Sequence, residues 1–410
     1  MPSLNSNILV WARKTAGLTA SEAASMLRLK QPRLEKMEHG EEIPSQSILL
    51  RMAKAYRRPA VIFYLKDIPV EANYGADFRG RKKGATDREQ ALVKALLRYA
   101  KSSQQLIRST LELEEEAVQL NFVGWLRRRW NLPEEANAME YTLQNMSETT
   151  YSDFVRDALH GLDLVMGHKC SPEKYCEQKN KIESFKLIRF SCEQSGVFVI
   201  LKNDLGSHHT RLSSELFRAF VIADDIAPLM IINRSDSYPA KSFSILHETV
   251  HLLLDQTGIS NLEFSSPVEK FCNRVAGSWL LPLESMKKEW KDGVSNIHEF
   301  ISRVSIERKL SRMMIATRFY QEGFIEQEVY SSLMDHYRDE WKKSEQEKQK
   351  ASKSSQRGGP SYYISQRSQL GNQTLEFANR MIQSGGLTVT KAALILGVKP
   401  GNVFKLLCLE

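Results

Sequence analysis

The 410-residue sequence predicts a mainly α-helical protein with one small β-sheet, divided among several domains. Length is the first observation, because a chain of this size exceeds one ordinary hydrophobic core and divides into roughly two to four. The second is that apolar residues recur at helical spacing over most of the chain. The third is a change of period between Ser191 and Asn233, where β-branched and aromatic runs are split by turn-forming clusters.

Residues 1–70 read as a compact all-helical module. Gly17-Leu18-Thr19 closes a first helix and offers Thr19 as N-cap of a second, Thr19 to Leu27, with Glu22 completing a capping box. Pro32 suits the first turn of a third helix, which stops at Gly40. Pro44-Ser45 and Pro59 then bracket a fourth, Gln46 to Arg58, whose Ile48, Leu49, Met52, Ala53 and Tyr56 keep helical spacing. Residues 71–165 are expected as a helical connector, polar but with Leu92, Leu96, Tyr99, Leu106 and Leu111 at helical intervals.

Residues 166–341 read as an α+β domain. Its strands are expected at Val197 to Leu201, Phe217 to Ile222 and Leu229 to Ile232, followed by helices from Phe243 to Asp255 and from Val268 to Leu281, the latter closed by Pro282. Residues 342–360, charged and rich in Ser and Gln, read as a flexible linker. The remainder, 361–410, is a small helical tail. Its Ala392-Ala393 and Leu396-Gly397-Val398 echo the first module, and a packing or homodimerisation element is expected there.

Charged residues make up 26% and hydrophobic residues 42% of the chain, and no apolar run nears the roughly 20 residues that cross a bilayer, so no membrane partner is expected. The segment Met1 to Ile8 lacks a basic patch followed by an apolar stretch, which predicts a cytoplasmic chain. Cys170, Cys176, Cys192, Cys272 and Cys408 are odd in number and scattered, as for reduced thiols. A net charge of +8 is compatible with a polyanionic partner. The basic tracts Arg79 to Lys83, Arg127 to Arg129 and Lys342 to Arg357 each read, taken alone, as solvated faces or linker.

The sharpest signal is His247-Glu248-Thr249-Val250-His251, an H-E-x-x-H motif. Four residues advance a helix by about 400° and 6 Å, so both imidazoles leave one side at a distance that a single zinc ion bridges. With 9 histidines in the chain, such a match arises by accident roughly once in a hundred sequences of this kind. The stronger rival is a solvent-facing helix with two ordinary histidines. Phe243, Leu246, Val250 and Leu253, at spacings of three, four and three, count against it because they bury the helix. Glu269, Cys272, Ala276 and Trp279 share one face of the following helix, which carries the Glu269 carboxylate toward the core. A buried carboxylate shifts its pKa, finds a cation or ligates a metal. Asn273, one turn on, is placed either to hydrogen-bond a ligating imidazole or to act as a packing amide.

Metal-assisted amide hydrolysis follows: two His and one Glu hold Zn2+ with a position left for water, and Glu248 takes the water's proton and later passes it to the leaving amine. Tyr238, His298, His208 and His209 are oxyanion-donor candidates by residue type only. A second cluster, His168, Cys170, Cys176 and Cys192, lacks the compact Cys pairs of zinc ribbons and is set aside.

These residues resemble the ImmA/IrrE-type metallopeptidases fused to a helix-turn-helix of the Xre kind. The likeness runs over AFVIADDIAPLMIIN (Ala219 to Asn233), FSILHETVHLLL (Phe243 to Leu254) and VEKFCNRVAGSWLLP (Val268 to Pro282), and over WARKTAGLTASEAASML, KMEHG and LLRMAKAYRRPAVIFYL in the first module. It implies a zincin-like domain in which His247, His251 and Glu269 hold zinc and Glu248 is the catalytic base. It further implies an antirepressor that cuts a transcriptional repressor, in stress, mobile-element or toxin–antitoxin control, with the alternative of a non-cleaving regulator or antitoxin that senses or binds its partner. Two departures stand out. Thr249-Val250 replaces smaller residues between the histidines, and Arg28 stands where the turn glycine is common.

In a helix-turn-helix the second helix of the motif enters the major groove of double-stranded operator DNA. Here that helix is Gln31 to Glu38, with Leu34 and Met37 inward and Lys30, Gln31, Arg33 and Lys36 outward. Gln suits adenine, whereas Arg and Lys suit guanine or phosphate.

Overall fold

The computed structural model describes residues 4–69, 86–205, 210–260, 266–290, 294, 296–354 and 361–408. It is mainly α-helical with a small sheet and divides into two compact units, residues 1–102 with 203–217, and residues 103–202 with 218–410. The basic tract Arg79 to Lys83 and the pair His208-His209 lie outside the described residues.

The first unit contains α1 (Ser6–Thr15), α2 (Ala20–Leu27), α3 (Gln31–His39), α4 (Gln46–Tyr56) and a 3-10 turn at Ala60–Tyr64. Its local signals work as the residues dictate. Thr19 Oγ1 accepts from the Glu22 amide at 3.2 Å while Glu22 Oε2 accepts from the Thr19 amide at 2.9 Å, closing the capping box at the start of α2. Arg28 ends that helix in the left-handed region (φ 53, ψ 45), where a side chain costs on the order of 1 kcal/mol relative to glycine. Gly17 has no such latitude: a Cβ on it, at φ +69, would meet Arg88 Cα at 2.6 Å. Ile8, Leu9, Ala12, Ala24, Leu27, Leu34, Met37, Ile48, Leu49, Met52, Tyr56 and Phe63 form the core. On α4 the buried alanine is Ala55, with Ala53 only half-buried.

One polar pair fixes α3 against α1. Arg13 Nε donates to Glu38 Oε1 at 2.7 Å and its Nη2 to Glu38 Oε2 at 2.9 Å, a two-pronged pair with side-chain exposures of 12% and 5%. Hydrogen bonding to Glu38 holds the Arg13 pKa above its ordinary value, against the pull of burial.

The described chain continues with α5 (Asp87–Leu113), inside which the division between units falls, then α6 (Trp125–Arg129), α7 (Ala136–Gln144), α8 (Glu148–Met166), α9 (Pro172–Glu177), α10 (Lys181–Gln194) and β1 (Phe198–Leu201). After β2 (Ala219–Ile222) and β3 (Leu229–Ile232) come α11 (Tyr238–Leu253), β4 (Gly258–Ser260), α12 (Pro267–Leu280), α13 (Leu283–Glu289), α14 (Ile297–Arg308), α15 (Arg312–Gln321) and α16 (Gln327–Ser354). The tail is α17 (Tyr362–Leu370), α18 (Asn372–Ser384), α19 (Val389–Leu396) and α20 (Val403–Leu407). The strands lie in the order β1-β3-β2-β4, with β1 parallel to β3 and the other two pairings antiparallel. All residues of β1 and β3 are buried, which is why both read as unbroken apolar runs instead of alternating ones. The three-residue β4 is too short to show any period and was not expected.

Three expectations need correction. Helices α6, α7 and α8, read as part of a connector, share one core with the α+β domain: Leu126, Met139, Phe154 and Leu162 pack in the same cluster as Val250, Phe271 and Phe319. Their polar faces, not their apolar ones, dominate the composition that suggested a connector. The segment 342–360, expected as a flexible linker, is helical to Ser354; a turn anchored by buried Leu333 and Tyr337 propagates through residues of good helix propensity, supported by ion pairs such as Arg338–Asp335. Finally, the basic tract on α6 is a solvated face only in part: Arg128 and Arg129 are exposed, yet every guanidinium has a protein partner. Arg127 pairs with Glu134 and Asp255, Arg128 donates to the carbonyls of Val123 and Asn121, and Arg129 pairs with Asp157.

The tail packs on β1 and α10. Phe377 meets Phe198 edge-on at 5.7 Å, and Arg189 of α10 donates to the carbonyls of Ser368 and Gln369. Gly371 lets the chain pass over the ion pair of Arg189 with Glu193, since a Cβ there would lie 2.0 Å from Glu193 Oε1.

Removing half of the Arg13–Glu38 pair leaves a buried charge, so Arg13→Ala is expected to destabilise the first unit by about 3 kcal/mol, read as a lowered urea midpoint. A shift under about 0.5 kcal/mol refutes the assignment of this pair as the tie between α1 and α3.

Candidate functional site

Helix α11 starts five residues earlier than its apolar pattern suggested, because Ser237 caps it, accepting from the Ala240 amide at 3.4 Å, and Pro239 occupies its first turn. From Ser244 to Leu253 every side chain is buried, so this is a core helix and not an amphipathic one. Thr249 Oγ1 donates to the Ile245 carbonyl at 2.7 Å and sits 3.9 Å from Cys192 Sγ. The bulk at Thr249 is thus absorbed by α10 behind the helix.

Helix α12 is capped by Ser266, which accepts from the Glu269 amide at 3.3 Å. The spacing Ser266-x-x-Glu269 is that of a capping box, in which the Glu carboxylate would turn back to the cap amide. It turns instead to α11. His247 Nε2 lies 3.2 Å from Glu269 Oε2, His251 Nε2 lies 3.2 Å from Glu269 Oε1, and the two Nε2 atoms are 3.1 Å apart. His247, Glu248, His251 and Glu269 are exposed by 4% or less.

This triangle fits a metal ion. Ligand atoms held tetrahedrally at the 2.0–2.1 Å typical of zinc are roughly 3.3–3.4 Å from one another, close to the three separations observed. Hydrogen bonding alone accounts poorly for the contacts: Glu269 Oε2, despite its distance to His247 Nε2, makes no hydrogen bond among the described residues. Burial opposes ionisation of Glu269, yet the two imidazoles outweigh it and hold its pKa well below the usual carboxylate range. His251 moves the other way. Burial disfavours its cationic form, but Cys272 and Glu269 raise its pKa well above the ordinary histidine value.

Cys272 is a residue that the sequence placed on the correct face without giving it a part in the chemistry. Among the described residues, donor atoms of His247, His251 and Cys272 all lie within 4.8 Å of one another, and the thiol is buried. Burial, opposed by His251, raises its pKa. The signal was present in the sequence: a cysteine three residues after the carboxylate lies one turn along the same face.

Other candidates fall elsewhere. The side chain of Asn273 is half-buried and makes no hydrogen bond among the described residues, while Nδ1 of both His247 and His251 lacks a partner there, so of the two placements considered for Asn273 the bond to an imidazole is not formed. Tyr238 stands at the start of α11 beside Phe185 and Lys241, and His298 packs against His336 and Tyr337. His168, Cys170, Cys176 and Cys192 form no metal-holding group among the described residues; burial instead raises the thiols of Cys170 and Cys192, to about 11 and about 12.

On α3, Lys30, Gln31, Arg33 and Lys36 are all exposed, and Leu34 and Met37 are buried. Two of the outward side chains already have local partners. Gln31 Nε2 donates to Glu35 Oε1 at 2.8 Å, and Arg33 Nε donates to Glu42 Oε1 at 2.9 Å. Both contacts are exposed and readily exchanged for others.

Metal analysis of purified protein is expected to give about one zinc per chain, lost in His251→Ala and in Glu269→Ala. Retention of full zinc content by Glu269→Ala removes that carboxylate from the donor set.

Comparison with known proteins agrees with both units. A peptidase-family model described as the IrrE N-terminal-like domain matches residues 192–320, and a helix-turn-helix model matches residues 9–63. No curated protein and no solved structure matches the chain. No helix among the described residues is long and apolar enough to cross a membrane. The chain therefore joins an N-terminal helix-turn-helix domain of the Xre type to an IrrE/ImmA-like peptidase-family domain.

Proposed function

We propose that this chain is a DNA-binding regulatory zinc metalloendopeptidase that cleaves a transcriptional repressor or similar regulatory protein. The observation that carries the reading is the buried triangle of His247, His251 and Glu269, with Glu248 adjacent to His247 on the same helix. The three side chains would hold zinc, which when bound lowers the pKa of a water and polarises a peptide carbonyl. Glu248 accepts the proton of that water and delivers it to the nitrogen of the leaving amine. The burial of these groups excludes bulk water, which strengthens every electrostatic contact made to the reacting amide. Lys30, Gln31, Arg33 and Lys36 would face operator DNA, locating the peptidase at the genes that its substrate controls.

A second reading is favoured by Cys272 together with the burial of the four site residues. Donor atoms of His247, His251 and Cys272 lie within 4.8 Å of one another; a thiolate ligand added to the two imidazoles and Glu269 would close the coordination sphere, and a closed zinc site is structural or sensory instead of hydrolytic. The chain would then act as a non-cleaving regulator or antitoxin.

The readings separate cleanly. Incubating wild type and Glu248→Gln with candidate repressors and mapping new termini is expected to show cleavage by the wild type alone, with zinc content equal in both; cleavage by both proteins overturns the role of Glu248. In cobalt-substituted protein, a thiolate-to-metal charge-transfer band that vanishes in Cys272→Ser supports the closed site.

For the DNA face, the double change Lys30→Ala with Lys36→Ala is expected to weaken operator binding and to lower the slope of log K against log salt by about 2, as for two lost phosphate contacts. An unchanged slope assigns these lysines no phosphate.

A further inference from the structure

A second cavity, of about 740 Å3, opens in the peptidase-bearing unit between α10, the start of α11 and the tail helix α17. The metal site's four residues do not line it. Its walls have two characters. Lys241, Arg234, Lys186, Arg367 and Arg189 line it, and the carboxylate among them, Glu193, is already committed to Arg189 at 3.0 Å and to the Asn372 amide at 3.0 Å. The opposite character comes from Phe185, Tyr238, Phe190 and Ile364, with the rings of Phe185 and Tyr238 5.6 Å apart and Phe190, Tyr238 and Ile364 more than one-third exposed.

The decisive side chain is Lys241. It is only 6% exposed and lines the cavity, yet its ammonium makes no hydrogen bond and no ion pair among the described residues. It lies over the face of Tyr238, 4.7 Å from the ring centroid. Buried lysines are ordinarily paired, since an ammonium removed from water without compensation is costly. Arg189, in the same wall, shows what compensation looks like: it donates to Glu193 and to the carbonyls of Val199, Ser368 and Gln369. Burial pushes Lys241 down to about 8, with Asp236 opposing the shift and Arg234 and Arg189 adding to it. Arg234 likewise has a single weak tie, 3.4 Å to Ser365 Oγ.

We propose that this cavity binds a nucleoside diphosphate, with the phosphates on Lys241 and Arg234 and the base against Tyr238, Phe185 and Phe190. A largely buried ammonium without a hydrogen-bonded partner, beside the exposed guanidinium of Arg234, suits an anion of more than one charge. An aromatic wall beside them calls for a planar body, because stacking on such rings favours a base over an aliphatic chain of equal size. The volume lies within the range of pockets that enclose small ligands and is far larger than one phosphate needs. The inference is independent of hydrolysis at the metal site, so it stands or falls alone. Because Ser368 and Gln369 of α17 are held by Arg189 in the same wall, a ligand there touches the peptidase-family core and the tail at once.

The experiment is calorimetric titration of the full chain with ADP, pyrophosphate, adenosine and a tetraglutamate peptide. ADP is expected to bind, and Lys241→Met, which keeps the packed stem and removes the ammonium, is expected to weaken it by roughly tenfold or more. Arg234→Ala, at an exposed position, gives the same direction with a smaller loss and guards against a folding defect in the buried variant. Equal affinity of wild type and both variants for ADP overturns the site. So does absence of ADP binding by the wild type at millimolar concentration. Pyrophosphate binding as tightly as ADP overturns the base-stacking wall and with it the nucleotide class, adenosine binding as tightly as ADP overturns the part of the cations, and preference for the acidic peptide replaces the nucleotide by a protein partner.

Discussion

Packing α11 against α12 places a carboxylate and two imidazoles together in the dry interior, and this juxtaposition constrains the surrounding structure. Isolated ionised groups are expelled from such an environment unless charge and hydrogen bonds are supplied on the spot. Glu269 could have stayed at the surface as half of a capping box with Ser266; its carboxylate faces His247 and His251 instead, while Ser266 still caps the helix alone. The local interaction that the helix gives up is worth on the order of 1 kcal/mol, and contacts to two buried imidazoles at 3.2 Å stand in its place. Two helix registers are thereby locked: a rotation of either rod by one residue, about 100°, would separate the triangle.

The sequence carried the parts of this site that depend on period and left out those that depend on tertiary geometry. The H-E-x-x-H spacing and the Glu269–Cys272–Ala276–Trp279 face are properties of a helix alone, and each residue lies where its spacing placed it. Trp279 even acquires a partner along that face, donating from Nε1 to Asp163 at 2.8 Å. Whether Cys272 is one more core thiol or a donor beside two imidazoles is decided by the crossing of α11 and α12, which no periodicity encodes. The same holds for Asn273. One turn of helix brings it near in sequence space, yet the amide is half-buried without an imidazole to meet.

Charge was the least legible quantity. The run Arg127 to Arg129 has the composition of a polyanion-binding patch, but each guanidinium has a protein partner: Arg128 the nearby carbonyls of Val123 and Asn121, Arg127 and Arg129 the carboxylates of Glu134, Asp255 and Asp157. Conversely, nothing in the sequence marks Lys241, one lysine among many, as a largely buried cation with no hydrogen bond or ion pair among the described residues. A count of charges predicts solubility and long-range attraction; it says nothing of which charges are spent. In the helix-turn-helix unit the balance is intermediate. Gln31 and Arg33 are held by Glu35 and Glu42 in exposed contacts, so their release costs little, and the face is shaped before any partner arrives.

Arg189 and Lys241 pose the same physical problem with opposite solutions. Both are largely buried side chains in one wall, and both lie on helices of the second unit. Arg189 is satisfied by its own helix through Glu193, by β1 through the Val199 carbonyl, and by the tail through Ser368 and Gln369; a planar guanidinium with several directed donors is suited to joining three segments at once. Lys241 has a compact charge, and its neighbour is an aromatic face, which lessens the cost of burial without removing it. A packed core that needed only a filler at this position would gain from methionine, which has a stem of similar length and no charge to desolvate. The retention of an ammonium there, in a cavity too large for its own side chain to fill, points outward to a ligand and not inward to the fold.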